Sequence, residues 1–282
     1  MDNVEILTKK LLIFFLHIPK NGGTTVFEHL FKFLPVERLH KVKIVEDMAD
    51  EQSRIQSRIF SMTEAQRQDL QIVFGHTVSD HLFSLFPGRN IKLATIFRYP
   101  PDQIVSDFNY HTERFTDHKK GNHEETMQQF ENWYSNKRSD QMSHWLVAAF
   151  LSIASEASRD LFQKMDSPTE IDDGLASIDV ANTPEWLRLK SADQTLLRQA
   201  FYILKKMDAV YLTESLDTQI KPLLRLLKVE QQMQNKNVSG KHLPKRLTLN
   251  EKLSDRLIRD NPVDMALYRL VKLRRICDPI FS

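Results

Sequence analysis

The chain has 282 residues, 41% hydrophobic and 27% charged, a composition ordinary for a globular protein and sufficient for a packed core. Its 39 Lys and Arg against 37 Asp and Glu leave a formal charge of +2 and a pI near 8.5. That balance is too mild for a general nucleic-acid binder, although basic residues can still gather round one pocket. The single cysteine, Cys277, excludes an internal disulfide and cysteine-rich metal sites.

The first legible element is the apolar run Leu11 to Leu16, of strand length and far too short to span a membrane. It enters His17-Ile18-Pro19-Lys20-Asn21-Gly22-Gly23-Thr24-Thr25, and an amphipathic segment from Val26 to Leu34 follows. The pattern predicts strand, tight loop, helix. Such a loop aims backbone N–H groups and the positive end of a helix dipole at one point, which suits a phosphate or sulfate. Lys20 adds a full charge, Gly22 and Gly23 allow close approach and positive φ, and Thr24 and Thr25 add hydroxyl donors. The lysine precedes the glycines, so this is not a Walker A loop.

The spelling resembles the 5'-phosphosulfate loop of the carbohydrate sulfotransferases of the heparan sulfate 2-O and 6-O type, which commonly reads His-Ile-Pro-Lys-Thr-Gly-Gly-Thr-Thr. Asn21 stands where that family usually has Thr or Ser. The resemblance implies 3'-phosphoadenosine 5'-phosphosulfate as donor, held by Lys20, Asn21, Gly22, Gly23, Thr24 and Thr25, with Lys20 also catalytic.

Val36 to Arg58 shows no clear period and reads as a variable connection. Thr63 then precedes a helical Glu64 to Leu70, and Gln71 to Phe74 reads as a short buried strand ending at Gly75-His76. A histidine there can simply hydrogen-bond a loop. Carbohydrate sulfotransferases carry a Gly-His pair after their next core strand, and the resemblance makes His76 the base toward the acceptor hydroxyl.

Ile91 to Phe97 predicts another strand, running through Arg98-Tyr99-Pro100-Pro101 into a helix that includes Ser106 and Phe108. Arg98 and Ser106 read either as a surface arginine and a helix serine or as a fork and a hydroxyl on one phosphate. The stretch is similar to the family's 3'-phosphate motif, which implies the second role. Tyr99 and Pro101 replace commoner residues without touching those two ligands.

His111, His118 and His123 lack the i, i+4 spacing of helix-borne metal ligands, so the expectation is a polar connection from Thr112 to Glu124 and no metal. Helices are predicted over Glu125 to Asn136 and Ser139 to Glu156, the second carrying Trp145 and Leu146 into the core. Arg159 to Lys190 reads as irregular chain. Ser191 with Gln194 predicts a capped helix to Met207, Ala209 to Leu212 a strand, and Leu216 to Leu227 helical spacing.

Asn237 to Pro244 is a basic loop between two helices, the second capped by Thr248 with Glu251. It resembles the late family segment that closes over the nucleotide ahead of a helix, here Asp264 to Tyr268. The resemblance adds Asn237, Ser239 and Lys241 to the cofactor-binding residues.

Alternating strands and helices predict the α/β class: a single P-loop-like domain over residues 1–282, with a mainly parallel central sheet flanked by helices and a site at the strands' carboxyl ends. The resemblance implies a sulfotransferase acting on a hydroxyl acceptor, favouring a saccharide, without metal. A nucleotide-dependent phosphotransferase and a noncatalytic nucleotide- or glycan-binding protein remain open alternatives. No nucleic-acid partner or membrane segment is expected, and a complete sequence of this kind would be cytoplasmic.

Overall fold

Continuous apolar strands belong in a sheet buried on both faces, and the period of two divides their side chains between two cores. β1 (Leu11–Leu16) follows that rule. Its Leu12, Phe14 and Leu16 join one hydrophobic cluster, while Ile13 and Phe15 join another across the sheet. The structure is a computed structural model that describes residues 11–42, 57–76, 78, 80–115, 123–137, 139–151, 189, 191–229 and 247–274.

β1 is the middle of five parallel strands in the order β2-β3-β1-β4-β5, with β2 at Leu39–Val42, β3 at Ile72–Gly75, β4 at Asn90–Phe97 and β5 at Ala209–Leu212. The helices used here are α1 (Gly23–Phe33), α2 (Glu64–Asp69), α3 (Pro100–Phe115), α4 (His123–Ser135) and α5 (Gln141–Leu151). They continue as α6 (Ser191–Lys206), α7 (Leu216–Gln219), α8 (Lys221–Leu226), α9 (Glu251–Asp260) and α10 (Pro262–Arg274). α1, α7 and α8 cover the Ile13 face through Val26, Leu30, Leu216 and Leu223. α5, α6 and α10 cover the other through Leu146, Leu197, Phe201 and Leu267. A third cluster joins α3, α4 and α9 through Phe108, Phe130 and Leu257. The chain is thus α/β, a parallel sheet flanked by helices.

The register decides where the site lies. Leu16 of β1 is level with Gly75 of β3 and Thr95 of β4. The residues that follow these strands therefore emerge side by side at one edge. At the opposite edge Arg89 donates to the carbonyls of Arg67, Gln68, Leu70 and Leu11 at 2.6–2.9 Å, fastening the end of α2 to the start of β1.

Several elements differ from the sequence reading. β2 lies in the stretch expected to be a variable connection; with His and Lys between its ends and a place at the sheet edge, it lacks the apolar run of a central strand. α3 continues to Phe115, so His111 and Thr112 stand on a helix rather than in a polar loop, and Thr112 Oγ1 bonds back to the Phe108 carbonyl at 3.0 Å. α6 begins at Ser191 itself, and the Gln194 side chain donates to the Leu189 carbonyl at 3.3 Å. Asn250, not Thr248, caps α9 by accepting the Leu253 N–H at 2.9 Å. The predicted Leu216 to Leu227 helix divides in two at Ile220. His118, Asn237, Ser239, Lys241 and, apart from Leu189, the 159–190 stretch lie outside the described residues.

Candidate anion and acceptor site

The loop after β1 takes its shape from two left-handed residues, Lys20 at φ 65° and Gly22 at φ 87°. For lysine that conformation costs about 1–3 kcal/mol, so the surroundings must hold it. They do so through consecutive carbonyls. Gln103 Nε2 donates to the Pro19 carbonyl (3.4 Å), Arg98 Nη1 to that of Lys20 (3.3 Å), and Thr213 Oγ1 lies 2.7 Å from that of Asn21 and 2.9 Å from that of Phe97. In a trans peptide the N–H points opposite to the carbonyl. The Lys20 N–H therefore faces away from Gln103, and the Gly22 N–H away from Thr213. Gly22 offers α1 no side-chain cap, and since the Thr25 and Val26 N–H groups turn to the Gly22 carbonyl, the donors that α1 can offer an anion are the Gly23 and Thr24 N–H groups.

Both glycines are required by their neighbours. A Cβ on Gly22 would meet Thr213 Cγ2 at 3.2 Å as well as the φ penalty. A Cβ on Gly23 would lie 2.0 Å from His17 Cδ2, inside the imidazole. Thr24 is exposed at the mouth, whereas Thr25 is buried with its N–H bonded to the Gly22 carbonyl at 3.0 Å.

Asn21 faces inward. Its side chain is fully buried, and Nδ2 donates to the Ile96 carbonyl at 3.1 Å and to Met142 Sδ at 3.2 Å. An anion in this loop would meet Asn21 only through its backbone, so the side chain fastens the loop to β4 and α5.

Lys20 Nζ sits 3.7 Å from the centroid of the Tyr110 ring, a cation–π contact on a ring that is 40% exposed. Tyr110 and Gln103 are seven residues apart on α3 and both touch the loop. Ser106 lies between them at i+3 from one and i−4 from the other, hence on the same helical face.

Arg98 leaves the end of β4 half-buried. Burial pulls its guanidinium below the ordinary value, and the nearby carboxylates of Asp102 and Glu214 work in the other direction. Its one hydrogen bond among the described residues goes to the Lys20 carbonyl. Since a guanidinium has five N–H donors, the fork has capacity for an anion beside the loop. Glu214 is itself engaged, accepting the Tyr99 N–H at 2.6 Å.

His76 follows β3 directly. Its imidazole is stacked on that of His17, with centroids 4.2 Å apart and planes at 24°. The Trp145 ring lies steeply inclined to it, with centroids 5.8 Å apart, and the indole N–H donates to the His76 carbonyl at 3.2 Å.

The structure thus brings Lys20, Gly22, Gly23, Thr24, Arg98, Ser106 and His76 to one edge of the sheet. Sequence reasoning passed over Gln103, Tyr110 and Thr213, and gave His17 no role. Thr213 is 192 residues from the carbonyl it holds, so no local signal marks it. Among the described residues no group of three or more His, Cys, Asp or Glu is arranged to hold a metal ion, and no helix is long and apolar enough to cross a membrane. Compared with known proteins, the chain matches no family model and no curated protein.

Proposed function

We propose that this protein is a sulfotransferase that moves a sulfuryl group from 3'-phosphoadenosine 5'-phosphosulfate to a saccharide hydroxyl. The observation that carries this reading is the meeting of Lys20, His76 and Arg98 at the carboxyl ends of three adjacent strands, round a loop spelled like a phosphosulfate loop.

In this reading the acceptor oxygen attacks sulfur while the bond from sulfur to the bridging phosphate oxygen breaks. His76 takes the acceptor's proton, a contribution of about 10²- to 10⁴-fold for a positioned base. The departing 5'-phosphate keeps the electron pair, and Lys20 with the loop N–H groups stabilises that charge where it develops. Arg98 and Ser106 bind the 3'-phosphate, and the family resemblance adds Asn237, Ser239 and Lys241 to the nucleotide's ligands. The scheme requires no metal.

The test is transfer of labelled sulfate from the donor to a panel of saccharides, with ATP as the competing nucleotide. Transfer that depends on His76 supports the reading. Phosphate transfer from ATP, or nucleotide binding without any turnover, replaces it with one of the two alternatives.

A further inference from the structure

We propose that His17 is a positioning residue for His76, and that Gly23 lacks a side chain in order to admit it. The proposal rests on the assignment of His76 as the base in sulfuryl transfer.

Among the described residues, Gly23, Phe74 and His76 pack round the His17 imidazole. Its ring lies where Gly23 would carry a Cβ, 2.0 Å from Cδ2, so the donor loop closes directly over it. Phe74 of β3 bounds it at 5.3 Å, and His76 covers its face at 4.2 Å. The backbone sets the pair in register, because the His17 N–H donates to the Gly75 carbonyl at 2.8 Å and His76 is the next residue. His17 is only 8% exposed, so it is packed as an internal wall rather than presented to a ligand.

A histidine at a strand end would otherwise turn about two side-chain torsions. A flat ring against one face, with the Trp145 ring nearby and its indole N–H on the His76 carbonyl, leaves His76 few orientations. Such restriction matters to a base, since a misplacement of about 1 Å can cost about 100-fold in rate. The same side chain fills the space beneath Gly23, so a replacement that fills it, such as leucine, leaves the loop in place while removing the flat face.

The test compares His17→Ala, His17→Leu and His17→Phe in the full chain. Four quantities are read: kcat for sulfate transfer, the affinity for 3'-phosphoadenosine 5'-phosphate, thermal stability, and the imidazole NMR signals of His76. His17→Leu, which fills space without a flat face, is expected to lower kcat by at least about tenfold, with nucleotide affinity within about threefold of wild type. His17→Phe restores the flat face and should recover most of the turnover, and the His76 ring signals should move in the Leu variant. Wild-type kcat in His17→Leu or His17→Ala overturns the proposal, as does a folded His17→Phe no better than the leucine variant. If the wild type transfers no sulfate, the sulfotransferase reading fails separately. The NMR comparison then still decides, and unchanged His76 signals in His17→Leu overturn the positioning role.

Discussion

Asp140 and Asp264 cap each other's helices. Asp140 stands just ahead of α5, and its Oδ1 accepts the Asp264 N–H at 2.9 Å. Asp264, in the first turn of α10, accepts the Met142 and Ser143 N–H groups at 3.0 and 2.7 Å and the Ser143 hydroxyl at 2.5 Å. Asn261 completes the exchange by accepting the Asp140 N–H at 2.8 Å. Each carboxyl supplies the acceptor that a helix start needs, and both lie at 2% exposure. Met142 is also the residue whose sulfur receives Asn21, so this exchange of caps underlies the glycine loop after β1.

The first prediction concerns pH. Burial pushes both carboxyls up, Asp140 to about 8, with Asp264's charge adding to the rise, and Asp264 to about 6, held lower by its donors from Ser143 and Met142. Both exceed the ordinary 3.8, so the folded state holds protons that the unfolded chain releases. Their contribution is fully present below that ordinary value and is lost progressively as pH rises from there through the folded values, ending near 6 for Asp264 and near 8 for Asp140. Tm measured from pH 5 to pH 8 should therefore fall. Asp140→Asn keeps the acceptor for the Asp264 N–H and removes the titration, so it should flatten that decline; an unaltered slope would refute the assignment.

Asp264→Ala should be far more damaging than Asp140→Asn. It strips acceptors from two buried N–H groups and a hydroxyl, a loss of about 2–4 kcal/mol. At roughly 2–4 °C per kcal/mol for a chain of this size class, the drop is readily seen by calorimetry. A Tm within one degree of wild type would show that the helix starts are satisfied some other way.

At the proposed nucleotide site, 3'-phosphoadenosine 5'-phosphate should bind at least about tenfold more tightly than AMP, since charge-assisted hydrogen bonds contribute about 1.5–3 kcal/mol each. Arg98→Ala should erase most of that preference. Titration calorimetry with the two nucleotides reads both effects, and equal affinities in the wild type would remove the 3'-phosphate subsite from Arg98 and Ser106.

Lys20 and His76 should fail in different ways. His76→Ala should leave nucleotide affinity nearly unchanged and lower turnover by about 10²- to 10⁴-fold, the mark of a group acting in the transition state. Lys20→Ala should weaken both binding and turnover, because its charge meets the phosphosulfate and then the leaving oxygen. Near-normal transfer by His76→Ala would send the search for the base to His111 on α3.

Much of the fold was legible because β1, β3, β4 and β5 are apolar runs, buried on both faces, that announce themselves in any short window. β2 was not, since Leu39-His40-Lys41-Val42 at the sheet edge carries polar residues a central strand would not. Strand ends are equally local, which is why Lys20, His76 and Arg98 could be placed there from sequence. Caps were less legible: Thr63, read only as the residue before a helix, caps α2 in a reciprocal pair with Gln66, and the cap assigned to Thr248 belongs to Asn250, nearer the helix start.

By itself the sequence determined the parallel α/β class, the glycine loop after the first strand and the chain order of the candidate residues, because each depends on period and on neighbours within a few positions. Tertiary structure alone decided what surrounds them. It turned Asn21 inward onto Ile96 and Met142, set Thr213 against a carbonyl 192 residues away, and laid His17 over His76. Those contacts depend on strand order and register, which unite segments distant in the chain and therefore leave no trace in local spacing.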